Sequence, residues 1–203
     1  MFLFALYVLP AVLLLSLVLY LPYPVMLWVE KRRLPLVRHA SLYLLVCTAA
    51  MVLYATIFWY GFSLDFSVDY HMLNLIPFSW LFEPYTMGVP RMLEQLALNI
   101  VMFVPLGLLL AVAFPSLRRF RRTAAVCLAI TLAIETLQYF TGRSADIDDV
   151  LLNLLGGMLG YALFALLRAR LSERPWFSAA LGLCPEPEPS PADPAPEHMP
   201  EPL

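Results

Sequence analysis

The stretch richest in chemistry is "ETLQYFTGRSADIDDVLLNLLGGMLG", residues 135 to 160. It sets Glu135, Asp146, Asp148 and Asp149 beside Gln138, Arg143 and Asn153, in sequence otherwise suited to hydrocarbon. Charge at membrane depth is costly and persists where it has a partner or a task. Glu135 and Gln138 stand three residues apart and so share a helix face. A carboxyl group held there, away from water, is a candidate general acid or base. Arg143 has two readings: it pairs with a neighbouring acid, or it offers its planar fork to a phosphate or carboxylate. The turn "GRSADIDD" also has a purely structural reading, because Ser144, Asp146 and Asp148 all suit a helix N-cap and acids suit a helix N-terminus. Capping accounts for one or two of these acids. It does not account for Glu135, which falls in mid-helix.

The elements that position these groups follow from hydropathy. A bilayer core takes about 20 apolar residues per helix, which predicts spans at roughly 2–28, 40–60, 95–114, 123–141 and 148–167. The first contains Pro10, Pro22 and Pro24, so it is expected to end or kink near Tyr20. The opening stretch is then the end of span four, a turn, and the start of span five. At 1.5 Å per residue, Glu135 lies about 8 Å below the end of its helix. Asn153 lies a similar distance into span five, and Asn99 a similar distance into span three. Three helices thus carry a polar side chain at one depth.

Composition agrees with this reading. Of 203 residues 61% are hydrophobic and only 14% charged, against about a quarter charged in soluble domains. This is an integral membrane protein of all-α class, with about five transmembrane helices. The formal net charge of −2 is skewed by the last twenty residues, which hold five acids and no Lys or Arg. Nucleic-acid binding, which needs a basic face, has no support. Cys47, Cys127 and Cys184 show no disulfide or metal spacing, and they read as small apolar fillers. The apolar N-terminus has its charges afterwards, in "EKRR", the reverse of a signal peptide, and reads as a retained helix.

Eleven of the thirteen basic residues fall between spans one and two, between three and four, or after five. Strict alternation puts all of them on one side, which the positive-inside rule makes cytoplasmic. The N-terminus is then outside and the C-terminus inside. The tail "CPEPEPSPADPAPEHMPEPL", with His198 inside it, is too rich in proline to pack a core and reads as disordered. The outward segment 61–94, with His71, Trp80 and Tyr85, is too short and interrupted to span, and is expected to lie at the interface or re-enter. Gly156 and Gly160 have the small-xxx-small spacing of close helix packing. Pro105 and Gly107 are expected to bend or loosen span three.

Four stretches in order, "NLIPF" at 74–78, "NIVMFVPLG" at 99–107, "ETLQ" at 135–138 and "GRSADIDDVLLNLLGGMLG" at 142–160, resemble the motifs of the VanZ-like family. The resemblance covers roughly 40–167. It implies a small bacterial membrane protein of a family named for a member linked to teicoplanin resistance, with no settled mechanism. It singles out Asn74, Asn99, Pro105, Gly107, Glu135, Gln138, Arg143, Asp146, Asp149, Asn153 and Gly157. The chain then divides into an N-terminal helix with a basic loop (1–39), a VanZ-like transmembrane domain (40–167) and a Pro/Glu-rich disordered tail (168–203).

The function expected is an outward-facing polar site in the bacterial inner membrane that binds or handles a cell-envelope lipid or its headgroup. Arg143 would hold an anion there, while Glu135, Gln138, Asn74, Asn99 and Asn153 bond sugar or peptide groups. Its partners would be membrane lipids or lipid-linked envelope intermediates. The alternative is a membrane-embedded hydrolase or transferase with Glu135, Asp146 and Asp149 as catalytic groups. Those carboxylates suit a hard divalent cation by type, but the sequence carries no metal-ligand motif and names no cofactor. A transporter lacks polar groups in the other leaflet and inverted repeats. A purely structural role would make the polar layer glue between spans three, four and five.

Overall fold

A computed structural model describes residues 8–59, 63–64, 73–81 and 88–183. His71, Tyr85, Cys184 and the Pro-rich tail with His198 lie outside the described residues. Five helical spans are long and apolar enough to cross a membrane: Leu9–Val29, Leu36–Phe58, Val89–Ala113, Phe120–Phe140 and Ile147–Leu171.

The first span is α1 (Leu9–Tyr20) and α2 (Pro22–Val29), broken at Leu21 where the prolines predict it. The second is α3 (Leu36–Leu53), which widens into a π-helical turn at Tyr54–Phe58. The others are α4 (Val89–Ala113), α5 (Phe120–Phe140) and α6 (Ile147–Leu171). Between α3 and α4, the described residues form a two-residue strand, β1 (Leu73–Asn74), and a tight turn at 79–81. β1 pairs in parallel with β2 (Ala145–Asp146), in the α5–α6 connection, with Leu73 opposite Ala145 and Asn74 opposite Asp146.

Two expected boundaries move. α4 begins at Val89 rather than near 95, because Pro90 occupies the first helical turn, where its missing N–H costs nothing. The disordered tail does not begin at 168. α6 continues to Leu171, and a short helix, α7 (Pro175–Ala180), folds back against the bundle. Phe177 and Leu181 bury themselves against Ala111, Val112 and Phe164, an apolar patch that holds the short helix to the bundle.

The bundle is tightest between α4 and α6. A Cβ at Gly107 would stand 2.0 Å from the Gly157 carbonyl oxygen, and one at Gly156 would stand 2.2 Å from that of Ile100. One at Gly160 would meet the Val104 carbonyl at 2.1 Å. The two backbones therefore touch, the solution open to helices that have no hydrophobic drive to associate in lipid. Leucines face outward, Leu14 and Leu155 among them, as hydrocarbon surroundings require.

The basic end is fastened by two guanidinium groups. Arg38, in the first turn of α3, donates to the carbonyls of Val112, Ala113 and Ala180 at 3.1, 2.6 and 2.8 Å. Arg118 donates to Leu181 O at 2.6 Å. Both cap helix C-termini, where carbonyls lack partners and positive charge is favoured.

Candidate functional site

At the opposite end, the polar residues of residues 135–153 meet. α5 carries Thr131, Glu135 and Gln138 on one face, spaced four and three apart. α6 carries Asp149 and Asn153 four apart; Asp148 lies in its first turn and Asp146 just before it. Acids suit this helix start, and Asp146 is the N-cap: its Oδ1 accepts the Asp148 N–H at 2.8 Å.

Glu135 is 94% enclosed, with 6% of its surface exposed. Its Oε2 accepts the backbone N–H of Asp146 at 2.9 Å, which ties mid-α5 to the first residue before α6. Asp146 Oδ2 in turn accepts from Asn74 Nδ2 at 2.8 Å, and the same amide donates to Ser79 Oγ at 2.7 Å. Lower in the seam, Asn99 Nδ2 donates to Asp149 Oδ1 at 2.5 Å. Asn153 Nδ2 donates to Thr131 Oγ1 at 3.0 Å. The oxygens Gln138 Oε1 and Asn153 Oδ1 are buried and meet no donor among the described residues.

Two residues serve purposes the sequence does not announce. Gln138 Nε2 donates at 3.0 Å to the carbonyl oxygen of Thr56, and Arg143 Nη1 donates to the same oxygen. The π-turn Tyr54–Phe58 presents that carbonyl, so Arg143 caps the C-terminus of α3 rather than serving a helix start. Asp148 is not the N-cap. It accepts from Phe78 N at 2.6 Å, Ser79 Oγ at 2.9 Å and Trp80 N at 3.4 Å, pinning the 78–80 turn to the top of α6. Phe78 has φ +65, a left-handed conformation costly for an aromatic residue, and its bonded N–H helps hold it there.

Glu135 and Asp146 also line a cleft of about 270 Å³ between α5, the start of α6 and β1. Leu73, Leu132, Tyr139, Ile147 and Val150 make its walls apolar. Leu73 and Leu132 are exposed, so the mouth opens on the bundle's outer surface. Asn99, Gln138, Arg143, Asp149 and Asn153 stand outside the lining, in the seam behind it. Among the described residues, no three His, Cys, Asp or Glu side chains are arranged to hold a metal ion. The arrangement therefore combines a desolvated carboxylate, hydrogen-bonded on one oxygen, with an apolar slot beside it.

Glu135 bonds Asp146, Asn99 bonds Asp149 and Asn153 bonds Thr131, three separate hydrogen bonds that join α5 to the start of α6, α4 to α6 and α6 to α5. Thr131 was missed, although it lies four residues before Glu135 and so shares its helix face. Thr56 acts through its carbonyl and had no signal.

Helices of this length, an apolar exterior and a buried polar seam at one end define a multi-pass membrane protein with a built polar site. Residues 41–168 match the VanZ/LLP1 family. The chain is also 31% identical over 132 residues to Protein VanZ of Enterococcus faecium, covering 62% of this chain and 76% of that relative. It belongs to the VanZ/LLP1 family. No solved structure matches it.

Proposed function

We propose that this chain lies in the bacterial inner membrane with its basic end in the cytoplasm, and that its polar end binds or handles a cell-envelope lipid or headgroup at the outer leaflet. The observation that carries the reading is the cleft: an almost wholly apolar slot on the bundle's outer surface, with Glu135 and Asp146 among its lining residues. An amphiphile matches both halves, its chain on the leucine and aromatic wall and its headgroup within reach of Glu135 and Asp146. Altered handling of such a lipid would change the envelope surface, which is the route by which a VanZ-like protein would reduce teicoplanin action.

The test is native mass spectrometry of the gently purified full chain, beside Glu135→Gln and Leu132→Trp variants of matched fold. A discrete envelope lipid on the wild type, depleted in the variants, supports the reading. Equal loading of bulk phospholipid on all three rejects it and leaves the seam as helix glue. A second reading, acid–base chemistry on a lipid-linked substrate, is favoured by one feature, the placement of the desolvated Glu135 carboxylate beside the slot. It requires turnover that Glu135→Gln abolishes while lipid binding persists.

A further inference from the structure

The charge of the two ends is as unequal as their shape. Among the described residues, the first turns of α4 and the stretch 135–149 hold Glu94, Glu135, Asp146, Asp148 and Asp149, against Arg91 and Arg143. Five acids and two basic residues thus belong to the described part of the polar end. Arg143 spends one guanidinium N–H on the Thr56 carbonyl, outside the cleft lining. Glu135, inside the lining, makes no salt bridge within 4.0 Å among the described residues, although the charge of Arg143 reaches it. A summed field of this sign concentrates cations and repels bare anions, and a low-dielectric wall strengthens it.

Resting on the proposed lipid site, we propose that the headgroup this cleft selects carries a protonated amine, paired with the carboxylate of Glu135 while the acyl chains lie on the Leu73, Leu132 and Tyr139 wall. Asp146, whose backbone N–H is already bonded to Glu135, lines the same slot and adds a second negative charge. Three features agree on that occupant. The acceptor is a carboxylate. No basic side chain is among the cleft's lining residues. The slot beside the carboxylate is apolar, as an amphiphile requires and a free amine does not. A phosphate alone would face the acidic end without a guanidinium in the lining, so anionic headgroups are disfavoured.

The experiment places the full chain in nanodiscs of equal parts phosphatidylethanolamine and phosphatidylglycerol with identical acyl chains, then counts the lipids retained in native mass spectrometry. A parallel sample replaces phosphatidylethanolamine by its N-acetyl derivative, which keeps the phosphate and removes the amine's charge. The wild type is expected to retain phosphatidylethanolamine over phosphatidylglycerol by about tenfold, the selectivity that 1.4 kcal/mol supplies. Acetylation and Glu135→Gln should each bring that ratio near one, and Leu132→Trp should expel both lipids. The ligand-side comparison holds even where a variant fails to fold. Retention of phosphatidylglycerol or the N-acetyl lipid as well as the amine, with loss on Leu132→Trp, overturns the amine assignment and leaves the lipid site standing. No retention above bulk in any sample overturns both.

Discussion

The Glu135 carboxylate accepts the backbone N–H of Asp146 at 2.9 Å, so a side chain in the middle of α5 holds the first residue before α6. Glu135→Gln keeps an acceptor at that position, whereas Glu135→Ala leaves a half-buried backbone N–H unmet. Stranding such a donor costs about 1–3 kcal/mol. The alanine variant should therefore unfold at lower SDS fraction and accumulate poorly, and the glutamine variant should stay near wild type. Equal loss in both would mean that the negative charge, and not the bond, supports the fold.

The α4–α6 seam makes a second prediction. Because a Cβ at Gly107 would meet the Gly157 carbonyl at 2.0 Å, Gly107→Ala must push two backbones apart. Overpacking of this kind costs about 1–3 kcal/mol, and the damage should spread to the Asn99–Asp149 bond, which spans the same two helices. Gly142→Ala is a useful contrast. Its site is open, and only its φ of +75 opposes a side chain, so the loss should be about 1 kcal/mol. Thermal unfolding in detergent of both variants gives the comparison; Gly107→Ala melting level with Gly142→Ala would contradict the seam.

Much of this was legible because lipid simplifies the rules. Twenty-residue apolar runs must be helices, the prolines at 22 and 24 break the first of them, and Gly156 and Gly160 announce a close approach. Glu135 stood out because capping cannot explain a mid-helix acid. What stayed hidden depends on contacts across the chain. Asp148 has the look of an N-cap, yet the N-cap is its neighbour Asp146, and Asp148 reaches 70 residues back to Phe78. Arg143 offered pairing or anion binding, and the structure adds a third use, closing the end of α3 on a backbone carbonyl that no side-chain pattern marks. α7 was missed because six residues carry too little periodicity to be told from the tail that follows.

Asp148 supplies a third prediction. Among the described residues it accepts three donors from residues 78–80, so Asp148→Ala should release that turn and let Phe78 leave its left-handed conformation. A single cysteine at position 81, with the native cysteines replaced, should then react several-fold faster with a membrane-impermeant maleimide. Phe78→Gly should leave the labelling rate low, because glycine accepts that φ without cost. Added to intact cells, the same reagent reads topology: labelling from outside is expected with the basic loops in the cytoplasm. Labelling only after lysis would reverse the orientation.

The fourth prediction concerns the opposite end, where geometry separates Arg from Lys. Arg38 Nη1 serves Val112 O and Ala180 O while Nη2 serves Ala113 O, so one planar group closes α4 and α7 together. A lysine keeps the charge but presents a single compact ammonium, which cannot reproduce two directed nitrogens. Arg38→Lys should therefore lose most of what Arg38→Ala loses, about 3 kcal/mol if two of the charge-assisted bonds are broken. The loss should be read as freed α7: Phe177 leaves its apolar patch, and a protease added to the detergent-solubilised chain cuts near Arg174 at lower dose. The lipid selectivity of the cleft, at the far end of the bundle, should be unchanged in the fraction that remains folded. Full protection of Arg174 in Arg38→Lys would show that charge alone holds α7, and that the fork has no part in it.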